Sequence, residues 1–388
     1  MIHDIKAITA SSYLGMFFLG VGTTIVGAAA RNIGLTPYQI GLMLAVQNVG
    51  FIFAVLLSGA LADNHPKPRI LFVGSLILAA AFLTFYLSHL FWINLLIMLF
   101  IGIGIGVYEG VTDAMLLDIH PRSENLHISV NHFFVTFGSI MITIYLIFLQ
   151  INWRASVIQA GTIVLILALF YALIRLDTGK RRGEDYLQRL KVLAKEKVVI
   201  VLFIATALAV GVELGTGGIL TTYLMDLRGF TQVTSKIGLI TFLAGIASGR
   251  LILGFIAQKE QLSQYLLVLF GISILIYGAL YLFNLGWFTY AAIYLAGISM
   301  SALLPMMLTM AGLLYKEVAG TVLGTIKVAI PVGGILLPFF MSLVAKYASF
   351  QVSLLVFPLA FVIAFLLLFF TIRSVRSYGI LPSPEGPD

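Results

Sequence analysis

Apolar residues gather into twelve long stretches, at about 7–30, 38–62, 70–89, 92–117, 125–150, 153–176, 198–225, 232–257, 263–283, 287–315, 318–345 and 350–373. Each is close to the ~20 residues a helix needs to cross a bilayer. The runs do not alternate apolar with polar positions, which excludes the ~10-residue strands of a membrane β-barrel. Connectors are a few residues long except for 177–197. The pattern predicts an all-α membrane protein of twelve transmembrane helices in two six-helix bundles. These are residues 1–176 and 198–388, the second ending in a short tail, with 177–197 as linker. The first stretch is too long for the core of a removable signal, and eleven more follow, so it is expected to stay as a span.

Composition agrees with that solvent. Of 388 residues 60% are hydrophobic and only 10% charged, and mean hydropathy is +1.06, against ~45–50% and ~25% in soluble chains. The absence of cysteine excludes disulfides, thiol-ligated metals and a thiol nucleophile. The net charge of +7 raises the question of a nucleic-acid partner, but position answers it. One set of loops carries Lys6, Lys67, Arg69, Arg122, eight basic residues from Arg175 to Lys197, Lys259, Lys316, Arg373 and Arg376. The opposite set carries only Arg31, Arg154, Arg228, Lys236 and Lys346. By the positive-inside rule both termini and the linker are cytoplasmic, in a multi-pass protein of the cell (inner) membrane. The expected partners are the lipid bilayer and a small molecule, with no nucleic acid, and the expected state is a monomer. Trp92, Trp153 and Trp287 all fall at the other interface, as anchors do. In the linker, Leu187, Leu190 and Leu193 recur at helical spacing among basic residues. That fits either an amphipathic helix on the anionic leaflet or a solvated charged connector.

The halves echo each other. Ile40-Gly41-Leu42 returns as Ile237-Gly238-Leu239, Trp92 and Gly102-Ile103 as Trp287 and Gly297-Ile298, and Gly138 as Gly333, the last three at an offset of 195. Six-plus-six duplication with a parallel repeat points to a pseudo-symmetric rocking carrier with a midplane site.

Specific segments then narrow the field. Gly59-Ala-Leu-Ala-Asp63-Asn-His-Pro66-Lys67-Pro-Arg69 resembles the loop motif of the major facilitator superfamily, with Pro66 where that family usually has glycine. Gly249-Arg250-Leu-Ile-Leu-Gly254 resembles its counterpart in the second half. Gly102-Ile-Gly104-Ile-Gly106-Val-Tyr108-Glu109, Asn131-His132-Phe133-Phe134 with Phe137-Gly138, and Gly211-Val-Glu213 are similar to segments of the fucose/glucose:proton symporter family. The resemblance implies the twelve-helix fold of that superfamily, proton-coupled sugar transport, and proton- and sugar-handling roles for Glu109 and Glu213. Two features depart from it: no acid in the apolar core of the first stretch, and Lys327 in the eleventh. The fifth stretch lacks the Gly-Pro-rich signature of drug:proton antiporters.

Charged side chains at the bilayer centre cost ~2.5–3.5 kcal/mol each, so they face a partner or a water-filled path. Glu109, Asp113, His132, Glu213, Arg250 and Lys327 form that set. At ~1.5 Å per residue, Glu109, Arg250, His132 and Lys327 lie about 10–15 Å from the inner surface and Glu213 deeper. Glu109, Glu213 and Lys327 are expected to couple protons, with Lys327 pairing whichever carboxylate is unprotonated. The same offset of 195 sets His132 opposite Lys327 across the pseudo-twofold axis. Substrate-binding candidates are Tyr108, Gln47, Asn48, Asn131, His132 and Lys327, although Gln47 and Asn48 serve equally well as bonds between helices. Gating candidates are Asp63, Arg69, Asp113 and Arg250. No catalytic constellation is visible, so an enzyme is not expected. Neither is a cofactor or metal, since His127 and His132 stand five apart, poor spacing for one helix face. Gly102, Gly104 and Gly106 suit close helix packing better than phosphate binding. The leading expectation is a secondary transporter working by alternating access, carrying a small polar solute such as a sugar with a proton. A carrier of organic anions, an exporter of amphipathic drugs, and a non-transporting receptor or enzyme are the alternatives.

Overall fold

A computed structural model describes residues 4–62, 65–120, 124–148, 152–174, 176, 195–256, 261–315 and 319–377. Fourteen α-helices occupy them. They are α1 (Ile5–Ile33), α2 (Pro37–Ala62), α3 (Lys67–Thr84), α4 (Phe91–Ile119), α5 (Glu124–Phe148), α6 (Trp153–Leu173) and α7 (Lys197–Arg228). There follow α8 (Gln232–Ile256), α9 (Leu262–Leu282), α10 (Thr289–Ser301), α11 (Leu303–Leu314), α12 (Ala319–Tyr347), α13 (Phe350–Ser353) and α14 (Val356–Ser377). Twelve spans are long and apolar enough to cross a membrane, as the hydrophobic pattern predicts. Two are interrupted. The tenth runs Gly286–Leu314 and breaks at Ala302, beside Ser301, whose carbonyl Pro305 would crowd four residues on. The twelfth breaks at Leu354–Leu355, four residues before Pro358. Proline removes a donor and clashes with the carbonyl four back, which accounts for both breaks. The linker's proposed amphipathic helix and Asp63 lie outside the described residues.

Local chemistry sets several ends. Asp4 caps α1 through the amide of Lys6 at 3.0 Å. Gly34, at φ 80°, closes the helix in the left-handed conformation that glycine tolerates best. Ser349 caps α13 through the amide of Val352 at 3.2 Å.

Contacts divide the chain into two compact units. The first is 1–183 with 218–240, and the second is 184–217 with 241–388. The first therefore holds α1–α6 together with the last turns of α7 and the first turns of α8, a grouping that differs from the covalent division at 177–197. Polar contacts inside this unit explain why. Arg31 pairs with Asp226 at 2.8 Å, Thr221 donates to the carbonyl of Gly27 at 2.6 Å, and buried Lys236 donates to Asn32 Oδ1 at 3.1 Å and to the carbonyl of Leu146 at 2.9 Å.

Inside each unit several glycines bring helix backbones into contact. A Cβ on Gly102 (α4) would strike the carbonyl oxygen of Gln47 (α2), and one on Gly50 (α2) that of Leu99 (α4). In the second unit Gly297 (α10) meets the carbonyl of Phe242 (α8), and Gly245 (α8) that of Tyr294 (α10). Every one of these four positions lies 195 residues after its counterpart, so the repeat seen in sequence is also a repeat of backbone contact. Small residues that let backbones touch are the usual means of helix association where the solvent is lipid.

Candidate functional site

In the first unit, α4 and α5 bring four of the expected residues together. Glu109 and Asp113 lie four apart on one face of α4. Asn131 and His132 open the third turn of α5. Asp113 precedes the α4–α5 connector by about as many residues as Asn131 follows it, so at ~1.5 Å per residue the two helices present them at one height. His132 Nε2 lies 2.9 Å from Asp113 Oδ2, and Asn131 Nδ2 donates to Asp113 Oδ1 at 2.8 Å. Asn131 also donates to Thr112 Oγ1 at 3.0 Å, and that hydroxyl donates to the carbonyl of Tyr108 at 2.7 Å. An ionised carboxylate only accepts, so with Asp113 ionised His132 Nε2 is the donor in this contact. One ligand atom each from Glu109, Asp113 and His132 all fall within 4.8 Å of one another. Glu109, Asp113 and His132 are partly exposed, whereas Asn131 is fully buried. The arrangement can take up and release protons while keeping opposite charge at hand.

The remaining candidates of this unit are held differently. Tyr108 is 0% exposed, its hydroxyl 2.8 Å from Ser75 Oγ and its ring packed where a Cβ on Gly15 would lie at 3.2 Å. It fastens α3 to α4 and does not line a surface, in contrast to its expected place beside the solute. Gln47 is buried and donates to the carbonyl of Gly22 at 2.7 Å, joining α2 to α1. Asn48 donates to the carbonyl of Leu44 in its own helix at 2.9 Å. Arg69 is exposed on the first turn of α3. The ion pair near the loop motif is instead Lys67–Asp118, at 2.5 Å, between the start of α3 and the end of α4.

In the second unit, Arg250 Nη2 on α8 donates to Glu213 Oε1 on α7 at 3.3 Å, both side chains partly exposed. The partner of Glu213 is therefore Arg250, where the sequence suggested Lys327. Lys327 is exposed on α12 and forms no ion pair among the described residues of its unit. The hairpin explains the pairing, since Glu213 and Arg250 stand similar distances from the α7–α8 turn.

The sequence places Lys236 and Arg31 among the loop charges, yet Lys236 sits a full turn inside α8, next to Ile237, and is 1% exposed. At the α4–α5 connector, His120 and His127 stack with centroids 3.6 Å apart. His120 Nε2 is joined to Thr9 Oγ1 at 2.7 Å and His127 Nδ1 to Tyr13 Oη at 2.6 Å. Partial burial, and then the neighbouring His127, hold the His120 imidazole below its ordinary pKa of 6.5.

The sequence profile described as Major Facilitator Superfamily matches residues 7–329. Comparison with curated protein sequences finds no match. Among solved structures, a bacterial homologue of the human lysosomal transporter Spinster, inward-facing and occupied, superimposes with a TM-score of 0.81 at 17% identity. It covers 98% of this chain and 99% of that one. The nucleoside transporter NupG gives 0.78 at 14% identity, over 94% of this chain and 98% of that one. A D-xylose-proton symporter gives 0.75 at 13% identity, over 94% and 97%. At such identities the likeness is one of fold.

Proposed function

From the premise that the chain belongs to the major facilitator superfamily, we propose that it carries a small polar solute of the sugar type together with a proton, by alternating access. The observation that carries this reading is the Glu109–Asp113–His132–Asn131 group. Two carboxylates and an imidazole within 4.8 Å form a coupled proton store whose occupancy belongs to the group as a whole. Solute hydroxyls that replace the bonds of Asn131 and His132 to Asp113 change that occupancy, and so tie solute binding to proton binding. Glu213 with Arg250 forms a second charge pair that solute or proton can open. The xylose-proton symporter and the nucleoside transporter among the structural neighbours, and the motifs similar to the fucose/glucose:proton symporter family, support a polyhydroxylated solute. In this reading both termini and residues 177–197 face the cytoplasm, the membrane is the cell membrane, and a monomer suffices. Bonds such as Arg31–Asp226 and those of Lys236 open when α7 and α8 leave α1 and α5. A second reading, an anionic solute, is favoured by exposed Lys327, which has no ion-pair partner among the described residues of its unit. Uptake into proteoliposomes under an imposed pH gradient separates the two. A panel of radiolabelled sugars, nucleosides and organic anions should show accumulation of a sugar that collapses with a protonophore. Accumulation of anions alone would replace the first reading with the second, and no accumulation of any solute would remove both.

A further inference from the structure

We propose that the stacked imidazoles of His120 and His127 form a pH-sensitive clasp at one end of the first unit. With one added proton or none the clasp ties the α4–α5 connector to α1; with two it parts. Both residues lie outside the spans. The clasp goes beyond the transport reading, because it requires neither a solute nor a gradient.

Its ties are made by groups that the transport reading leaves idle. His120 is the cap residue after α4, and His127 sits on the first turn of α5. Their rings stack at 3.6 Å and 17°, both partly exposed. Thr9 spends its one hydroxyl hydrogen on the carbonyl of Ile5 at 2.8 Å, so His120 Nε2 donates to Thr9 Oγ1 at 2.7 Å. Neutral His120 therefore carries its hydrogen on Nε2 and takes up a further proton at Nδ1. Tyr13 is fixed with its ring parallel to that of Phe134 at 5.3 Å. Its phenol is more acidic than a neutral imidazole, so it donates to a bare His127 Nδ1 at 2.6 Å.

Protonation works against this arrangement twice. A proton on His127 Nδ1 sets a donor against the phenol hydrogen. Two charged rings 3.6 Å apart repel, which separates their titrations by about 1 to 3 pH units between full and partial screening by water. His120, held below its ordinary pKa of 6.5 by partial burial and then by His127, already meets that resistance. Tyr13 is the titratable group that α1 sets against the pair; Asp4 and Lys6, at the start of α1, are exposed. On α4, Asp118 pairs with Lys67 of α3, and on α5, His132 is engaged with Asp113. The side chains of Arg122 and Glu124 lie outside the described residues. Further along, α1 and α5 are locked, since a Cβ on Gly138 would strike the carbonyl of Phe17 and one on Gly20 that of Val135. Parting the rings thus frees only the ends before that contact, a lever of about 12–16 Å. In the orientation proposed above this end faces the cytoplasm, so acidification there slackens the carrier. That consequence rests on the orientation; the clasp does not.

Purified protein in detergent, labelled with ¹⁵N-histidine, provides the test, since imidazole nitrogen shifts report tautomer and charge. His120→Gln and His127→Gln assign the two rings among the six histidines. At about pH 8, where histidine is neutral, His120 should show its hydrogen on Nε2 and His127 a bare Nδ1. On acidification the pair should titrate in two steps about 1 to 3 pH units apart, and His127→Gln should move the His120 step upward. Hydrogen exchange in the first turns of α5, corrected for its intrinsic pH dependence, should quicken across the second step. His120→Phe keeps a ring to stack but takes no proton, so it should stay protected over the same range. One common step, a His120 step unmoved by His127→Gln, or acid-quickened exchange that persists in His120→Phe overturns the proposal. Where a variant does not fold, replacing His3, His65, His89 and His132 assigns the rings instead, and the spacing of their two steps decides. Failure of solute uptake in proteoliposomes leaves this result untouched, and failure of the clasp leaves the transport reading untouched.

Discussion

Adding one methyl group at Gly102 tests whether backbone contact at glycine holds the helices together. In Gly102→Ala the new Cβ runs into the carbonyl oxygen of Gln47 and stands 2.8 Å from its carbon, where ordinary contact begins at 3.4 Å. The carbon alone therefore forces α2 and α4 apart by about 0.6 Å, and a gap of that size forfeits about a quarter or more of each dispersion contact it opens. Overpacking of this kind costs about 1–3 kcal/mol. Alanine returns at most about 1 kcal/mol through helix propensity, so the clash wins. Gly297→Ala meets the equivalent obstacle in the second unit, against the carbonyl of Phe242 and 2.9 Å from the amide of Ile246. Gly271 on α9 has nothing within 4 Å of an added Cβ, and its change to alanine should be neutral or slightly stabilising. Apparent melting temperatures in one detergent should thus fall for the first two variants and hold or rise for the third. A Gly102→Ala protein as stable as the wild type, with Gly271→Ala destabilised, would refute the reasoning.

Three further expectations rest on single contacts. Lys236→Met leaves the carbonyl of Leu146, in the last turn of α5, without its donor, and should cost about 1–3 kcal/mol as a lowered melting temperature; an unchanged value would show that the ammonium is dispensable. Because the His120 pKa is depressed in the folded protein, the unfolded chain binds more protons there, so stability present above pH 6.5 falls as the pH drops below it. His120→Gln should flatten that part of the melting-temperature profile, and a profile identical to wild type would contradict the assignment. A double-mutant cycle of Lys67→Met and Asp118→Asn should return a coupling of up to about 1 kcal/mol, as Asp118 is partly exposed; a coupling of zero would make the 2.5 Å pair incidental.

The twelve spans were legible because membrane length is written in one dimension, as uninterrupted apolar sequence. The breaks at Ala302 and Leu354 were legible in principle, since Pro305 and Pro358 stand in the sequence. Orientation of a polar side chain around its helix was not. Tyr108 neighbours Glu109 in sequence but faces Ser75, and Gln47 spends its amide on Gly22. Pairing across helices was partly hidden for a related reason. No spacing within one helix relates Asp113 to His132 or Glu213 to Arg250; their similar distances from a hairpin turn do. Lys236 lies inside the stretch that the sequence starts at 232, where α8 does begin, yet so near its end that it counts with the loop charges; that its side chain turns inward is not written in the pattern. The backbone contacts of Gly50, Gly102, Gly245 and Gly297, by contrast, follow the repeat at 195.

The central claim is that the Glu109 group couples proton to solute, and the direct measurement is a paired assay on Glu109→Gln in proteoliposomes. Glutamine keeps the hydrogen bonding of the side chain and removes its titratable proton. Accumulation of the transported sugar against its gradient, driven by pH, should be lost, while exchange of labelled for unlabelled sugar at equal pH persists. PH-driven accumulation at the wild-type level in Glu109→Gln would contradict the account.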